Sequence, residues 1–372
     1  MNMSRWLLAP TASFFMTVSV AAAQQVNSRA RDPRPESAIP AILAAFDTFQ
    51  VVAIADLHTD QDIKNFVFSL VRHPHFADVV NDIVIEGANG LLQPLLDRYI
   101  AGDDVPMSEA QRLWRDGMNP AGANDFAAQL FQLVRRINQS LPSAKRLRVV
   151  DGEAGIEWST ATADEFQQYG SHREEHIAAV LETEVVAKHR KALMFYGASH
   201  VRHGVHNPVP GWGNAMEYFE AQHPGLTFVV YPYVGGSQRT VCGGPQTINS
   251  IAVDTRLGSW EVPSLARTKE TWLADLSRAD DSKRAMLAAQ TGQPLVDSLV
   301  LAVDAYLYLG RPELHIASLP SVVQFADTSY LRELWRRQRV IGQARRDPRT
   351  DPDQVRNADT SVLVCASVRE KG

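Results

Sequence analysis

Residues 51–58, VVAIADLH, decide how the rest of the chain is read. An unbroken apolar run of this length fits a strand buried on both faces, as in a parallel sheet, because a half-exposed strand would alternate with polar residues. The run stops on Asp56 and His58, side chains that move protons or bind metals. The same punctuation recurs along the chain. DIVIE at residues 82–86 closes on Glu86. RLRVV at 146–150 runs into Asp151 with Glu153 just beyond, and ALMFYGAS at 192–199 runs into His200. A fifth strand is predicted at 226–231, ending on Tyr231.

Between these runs, apolar residues recur at helical intervals. Ile63, Phe66, Val67 and Leu70 mark one helix, and Phe126, Leu130, Leu133, Val134 and Ile137 mark another. Further helices are predicted at 39–46, 91–100, 107–114 and 216–221, with a long one over 164–189. Strands alternating with helices imply βαβ units. The fold class is therefore α/β, a three-layer α/β/α domain with a largely parallel central sheet and helical insertions. In such sheets ligands bind outside the carboxyl ends of the strands. If the acid- and histidine-tipped runs are neighbours, residues distant in sequence converge at one edge.

Past residue 234 the rhythm weakens. A glycine-rich turn at 235–246 (GGSQRTVCGGPQ), an apolar run at 298–309 and an arginine-rich helix near 330–345 stand out. We read residues 38–345 as one domain, with a core over 50–235 and a C-terminal completion or cap over 236–345. Residues 346–372, polar and rich in Pro and Asp, form a loose tail.

The first residues carry a secretory pattern: a short basic start, an apolar stretch to Val20, and Ala21-Ala22-Ala23 before Gln24. The apolar stretch is interrupted by Pro10, Thr11 and Ser13 and falls short of the ~20 residues that span a bilayer. Residues 1–23 are expected to be a cleaved signal and 24–37 a polar linker, which makes the mature protein periplasmic or secreted and free of the membrane. A net charge of −5 argues against a nucleic-acid partner. A mean hydropathy of −0.19 argues against a multi-pass membrane protein. Cys242 and Cys365 are the two cysteines. In an oxidising compartment they can pair, and two buried free thiols fit the sequence equally.

His58, at a strand's carboxyl end and two residues after an acid, is a candidate general base. Glu86 ends an apolar strand, where a carboxylate is costly to bury unless paired. Its ordinary alternative is a cap or salt bridge in the next turn. Asp151 and Glu153 carry the same logic with less force, and with Tyr231 they are grouped as substrate-binding residues. His200 follows Gly197-Ala198-Ser199, small residues that allow a backbone or substrate to come close. His203 and His206 read as a solvated loop. A separate pattern, His172-Arg173-Glu174-Glu175-His176, fits the H-x-x-E-H of inverzincin zinc peptidases, which needs both histidines on one helix face. With 11 histidines in the chain a chance match is expected, and the pattern lies away from the strand ends.

The order of these pieces resembles the erythromycin-esterase and ChaN/TIKI-like superfamily over residues 51–231. That superfamily has an acid, one residue, then His after its first strand, matched by Asp56-Leu57-His58. Glu86 in IVIEG matches the Glu that ends its second strand. Arg173-Glu174-Glu175-His176-Ile177-Ala178 matches the register of its Arg-Asp-x-x-Met-Ala helix, with His176 at a variable position. Gly197-Ala198-Ser199-His200 matches its Gly-x-x-His, and LDRYIAGDD at 96–104 is similar to esterase-like chains. Asp56 replaces the usual Glu, and Gly197 and Ala198 stand where the esterases have an additional His-Asn. These departures point away from macrolide esters and toward the Gly-x-x-His branch, which includes metal-dependent peptidases and a haem/iron-associated lipoprotein.

The resemblance implies an exported hydrolase of a small-molecule or peptide ester or amide. In it His58, oriented by Asp56 or Glu86, would be the base. Glu86 and His200 would hold water or a divalent metal, with His58, Glu86 and His200 as its ligands, and Arg173 would pair with a carboxylate or meet an oxyanion. A haem is the less favoured cofactor, and the absence of C-x-x-C-H would leave it non-covalent. The alternatives are a haem/iron- or metal-binding uptake protein without turnover, a silent member of the superfamily, and the inverzincin-like peptidase.

Overall fold

The apolar runs form the strands they predict. The structure, a computed structural model, describes residues 36–58, 60–118, 125–204, 214–232, 263–267, 302–310, 316, 318 and 327–342. Its strands are β1 (Glu36–Ser37), β2 (Val51–Asp56), β3 (Asp82–Ile85), β4 (Arg148–Asp151), β5 (Ala192–Gly197), β6 (Thr227–Pro232), β7 (Ser264–Arg267) and β8 (Ala305–Tyr308). They make one 8-stranded sheet in the order β1-β7-β8-β6-β2-β5-β3-β4. From β8 to β4 every neighbouring pair is parallel, and β7 and β1 add antiparallel pairs at one edge.

The four runs tipped with acids or histidine are thus consecutive neighbours, β2-β5-β3-β4. Register keeps their ends level: Asp56 lies opposite Gly197, and Ile85 opposite both Phe195 and Asp151. The chain winds from β2 out to β3 and β4, returns to β5, then crosses to β6 on the far side of β2. The carboxyl edge at such a reversal is where open α/β sheets bind ligands.

Both faces of the sheet are covered, which explains why the strands do not alternate. Val52, Ile54, Ile83, Ile85, Leu193 and Phe195 pack under helices Ala38–Ala45, Gln61–Val71, Gln93–Ala101 and Asp125–Ser140. Val51, Ala53, Ala55, Val84, Met194 and Tyr196 pack on the other side against Arg173–Val180 and Ala215–Gln222. Among the described residues no helix is long and apolar enough to cross a membrane.

Some expectations need correction. The helix foreseen over 164–189 is broken: Ala163–Ser171 ends, His172 adopts φ −117°, Arg173–Val180 begins, and Leu181–Val186 continues as a π-helix. Gly170 and Ser171, both weak helix formers, weaken the first segment at its end. The H-x-x-E-H pattern therefore begins at the break, with His172 outside the helix that carries Glu175 and His176 and with His172 and Glu175 exposed, and it lacks the single helical face that inverzincin chemistry needs. Strand β1 uses Glu36 and Ser37, so the chain joins the sheet inside the expected linker. The signal and the rest of the linker, His206, both cysteines, the glycine-rich turn and the tail lie outside the described residues.

The arginine-rich helix is Thr328–Val340, capped by Asp327, whose Oδ1 accepts the backbone N–H groups of Ser329 and Tyr330. It docks through polar groups. Buried Arg337 donates to Asp116 at 2.6 Å and to the Arg115 carbonyl at 2.8 Å, and its guanidinium lies 5.1 Å from the Trp158 ring centroid. Met118 in turn donates to the Ala88 carbonyl at 3.0 Å, so this helix braces the loop that follows Glu86.

His203 is not a solvated loop residue. Its Nδ1 meets Glu220 and its Nε2 meets Asp304, each at 2.7 Å, tying the end of β5 to helix Ala215–Gln222 and to the approach to β8. Burial opposes its charge, but hydrogen bonds to Asp304 and Glu220 outweigh that and raise the imidazole to about 9. A histidine whose folded value lies above the ordinary ~6.5 adds stability that is fully present below pH ~6.5 and lost as pH rises through the folded value. Thermal unfolding followed from pH 6.5 to about 9 should show a falling midpoint, and His203→Gln should flatten the fall; an unchanged slope would discount this ion pair.

Candidate active site

His58 leaves β2 in a turn written by Asp56. One Asp56 oxygen accepts the His58 backbone N–H at 2.8 Å, and the other accepts the ring proton on Nδ1 at 3.0 Å. The residue sits at φ 52°, in the left-handed region that non-glycine residues rarely use, a strain that clusters at functional sites. Lys64 also fixes the turn, donating to the His58 carbonyl and to the Ser318 hydroxyl, each at 2.8 Å. With Nδ1 held, Nε2 faces Glu86 at 3.9 Å while 62% of the side chain stays exposed. The bond to Asp56 is the main reason the imidazole is raised above its ordinary value. Burial works against it, and the charge of Glu86 adds to it.

Glu86, just past β3, is the centre of the group. Its Oε2 accepts the Gly197 backbone N–H at 2.6 Å and its Oε1 accepts from Arg173 Nη2 at 2.7 Å. Burial alone would raise this carboxyl, but the electrostatic pull of His200, Arg173 and His58, with the Arg173 hydrogen bond, outweighs it and holds it below the ordinary range; of the three, Arg173 carries its charge whatever the protonation of the histidines. Gly197 is required by close approach, since a Cβ there would lie 2.9 Å from both Glu86 Oε2 and His58 Nε2.

Arg173 starts the second helix after the break and reaches back to the sheet edge. Its Nε donates to Glu153 Oε2 at 2.9 Å, its Nη2 to Glu153 Oε1 and Glu86, and its Nη1 to His200 Nε2 at 3.2 Å. The second Nη1 hydrogen is the one donor of this guanidinium that no described residue accepts. His200, past β5, has its Nδ1 2.8 Å from both carboxylate oxygens of buried Glu174. Two carboxylate–imidazole dyads thus flank Glu86, each presenting Nε2 to it, at 3.9 Å from His58 and 3.7 Å from His200.

The structure brings Asp56, His58, Glu86, Glu153, Arg173 and His200 together. The three residues grouped as substrate-binding, Glu153, Asp151 and Tyr231, have different surroundings. The Glu153 side chain is fully buried and is spent on Arg173, on the Gly87 backbone N–H at 3.3 Å and on the Tyr196 hydroxyl at 3.3 Å. Asp151 lies buried behind it. Its Oδ1 accepts the Glu153 backbone N–H at 3.1 Å, and Oδ2 has no partner among the described residues. Burial first, and the Glu153 charge second, push the Asp151 carboxyl well above the usual range. Tyr231 is on β6, across β2 from the group, and is raised by burial without bonding any member of it.

The structure adds residues that sequence reasoning missed. Glu174 lay hidden beside Arg173, Tyr196 reads as an ordinary core aromatic, and Lys64 as a polar helix position. The expected metal set does not fit this geometry. Arg173 lies against both His200 and Glu86, so a guanidinium already holds the place a cation would take. Among the described residues no cluster of three or more His, Cys, Asp or Glu is arranged to hold a metal ion.

No family model matches the chain, and no curated protein matches it. Solved structures do. One is a succinoglycan biosynthesis protein, at TM-score 0.49 and 10% identity over 77% of this chain and 95% of that one. Another is an erythromycin esterase mutant in its open conformation, at TM-score 0.43 and 9% identity over 76% and 95%. A third is ChaN of Campylobacter jejuni, described with cofacial haem binding, at TM-score 0.34 and 13% identity over 54% and 87%. These likenesses say nothing of chemistry.

Gly197→Ala tests the closeness of this packing. The added methyl must push Glu86 and His58 apart, at a cost of about 1–3 kcal/mol for overpacking. The protein should stay folded while the His58 titration, followed by NMR, moves down toward the ordinary histidine value. An unmoved titration would show that the carboxylate and imidazole are not held as described.

Proposed function

We propose that this chain is an exported hydrolase in which His58 activates water against an ester or amide carbonyl. The observation that carries the reading is the Asp56–His58 dyad, with Nδ1 bonded at 3.0 Å and Nε2 facing Glu86 at 3.9 Å. That gap is too long for a direct hydrogen bond and is one a single water can bridge. Asp56 accepts the hydrogen bond from Nδ1–H, which leaves the Nε2 lone pair as the base. Glu86, held below the ordinary carboxylate range, is ionised and accepts the water's other hydrogen. The water lone pairs then face the substrate.

As the water oxygen bonds to the carbonyl carbon, its proton passes to Nε2 and the carbonyl electron pair moves onto oxygen. The open Nη1 hydrogen of Arg173 would meet that oxyanion, a contribution of about 10²–10³-fold where such donors have been removed. The oxyanion pair returns, the bond to the alcohol or amine breaks, and His58 delivers its proton to the leaving group. The products are a carboxylic acid and an alcohol or amine. The N-terminal pattern over residues 1–23 supports export, and an intact mass beginning near Gln24 would accord with it.

Purified protein screened on ester and peptide panels, with and without chelator, tests the reading. His58→Ala and Asp56→Asn should each cost about 10²–10⁴-fold in turnover, while His172→Ala and His176→Ala should be neutral; the reverse pattern would sink it. Because the base must be neutral and His58 is raised, kcat/KM should climb with pH through a value above ~6.5. Asp56→Asn should move that limb to lower pH.

A further inference from the structure

Arginine only donates hydrogen bonds, so the 3.2 Å contact from Arg173 Nη1 to His200 Nε2 requires an unprotonated Nε2. The ring proton must then sit on Nδ1. Both Glu174 oxygens lie 2.8 Å from that atom, and Glu174 and His200 are 3% and 8% exposed, so water is a poor substitute there. The ring is further held by its own backbone N–H, which donates to the Gly197 carbonyl at 2.9 Å, and by Tyr196, edge-on at 5.8 Å between ring centroids.

We infer that Glu174 is a positioning residue: by accepting a hydrogen bond from Nδ1–H of His200 it keeps the Nε2 lone pair turned to Arg173, and so holds the guanidinium against Glu86. Its catalytic meaning rests on the hydrolase reading; its geometry does not. With the proton on Nε2 instead, donor would face donor at Arg173. The ring would turn its N–H to Glu86 Oε1, now 3.7 Å away, and compete with Arg173 for that oxygen. The two dyads therefore divide the work. The exposed His58 offers its Nε2 lone pair to water, whereas the buried His200 has its lone pair occupied by a group that does not release its proton. His200 aims Arg173 and is not a second base.

The full chain labelled with ¹⁵N-histidine decides this by NMR, with the His200 signals assigned from His200→Gln. Wild-type protein should show His200 protonated at Nδ1 and bare at Nε2. Glu174→Met, unbranched and of similar length but without an acceptor, should move the proton to Nε2. Glu174→Gln should retain the wild-type tautomer, because its amide oxygen still accepts. Glu174 serving only to fill space would leave the tautomer unchanged in the Met variant, and that result overturns the inference. A wild-type His200 carrying its proton on Nε2 overturns it without any variant. Neither readout needs turnover, so a protein that hydrolyses nothing defeats the hydrolase reading and leaves this measurement to stand on its own. Where an ester substrate is found, Glu174→Met should lower kcat, by up to about 10²-fold, with KM little changed.

Discussion

The guanidinium of Arg173 lies between Glu86 and Glu153, two carboxylates that the fold has largely withdrawn from water. A carboxylate taken into such surroundings loses more in hydration than one neighbour returns, unless its remaining lone pairs are also met. Here they are, by the Gly197 N–H, the Gly87 N–H and the Tyr196 hydroxyl. Removing Arg173 would leave both charges stranded, the kind of loss that costs about 3–5 kcal/mol for a buried pair. The demand reaches into the helical layer as well. Arg173 occupies a helix's first turn, where a cation is disfavoured by the dipole, and Glu174 and Glu175 beside it restore the preferred sign. The break at His172 lets the helix begin at the point from which Arg173 can reach the strand ends.

The sheet was legible because burial on two faces leaves a signature that no other common environment does. VVAIA, DIVIE and ALMFYGAS carry no polar residue on either face within the strand centre, and they proved to be interior parallel strands. The site edge was legible for a related reason. A charged or titratable residue directly after such a run has nowhere to go but the rim of the sheet, which placed Asp56, His58, Glu86 and His200 together. The helix break was hidden, because apolar spacing runs on through residues 164–189 while Gly170 and Ser171 are weak signals by themselves. Tertiary pairing was hidden too. His200 and His203 look alike in sequence, yet one faces Arg173 and the other is clamped by Glu220 and Asp304, both supplied by later parts of the chain. Glu153 and Asp151 differ for the same reason: the register of β4 against β3 puts one beneath Arg173 and the other behind it.

The contrast between the two dyads follows from their surroundings. Both histidines have a carboxylate on Nδ1 and both turn Nε2 to Glu86. At His58 the carboxylate comes from two residues earlier in a strained turn, and the ring stays in contact with solvent. At His200 the carboxylate comes from a helix packed on the sheet, and the ring is enclosed. A base must exchange its proton with water or substrate, so access matters as much as basicity. A positioning group gains from the opposite condition, since enclosure lets one hydrogen bond fix the tautomer.

Asp151 closes the electrostatic balance of the site. Arg173 meets the charges of Glu86 and Glu153, and a third ionised carboxylate directly behind Glu153 would have no cation to answer it. Burial first, and the Glu153 charge second, push the Asp151 carboxyl well above the usual range and so oppose a third charge there. An acid whose folded value is raised binds its proton more tightly in the native state than in the unfolded chain. Its contribution to stability is therefore greatest at low pH and declines as pH rises, opposite in sign to that of an ordinary ion-paired aspartate. The charge that burial disfavours at Asp151 is kept at Glu153, where Arg173 meets it, and through Arg173 the position of Glu86 follows.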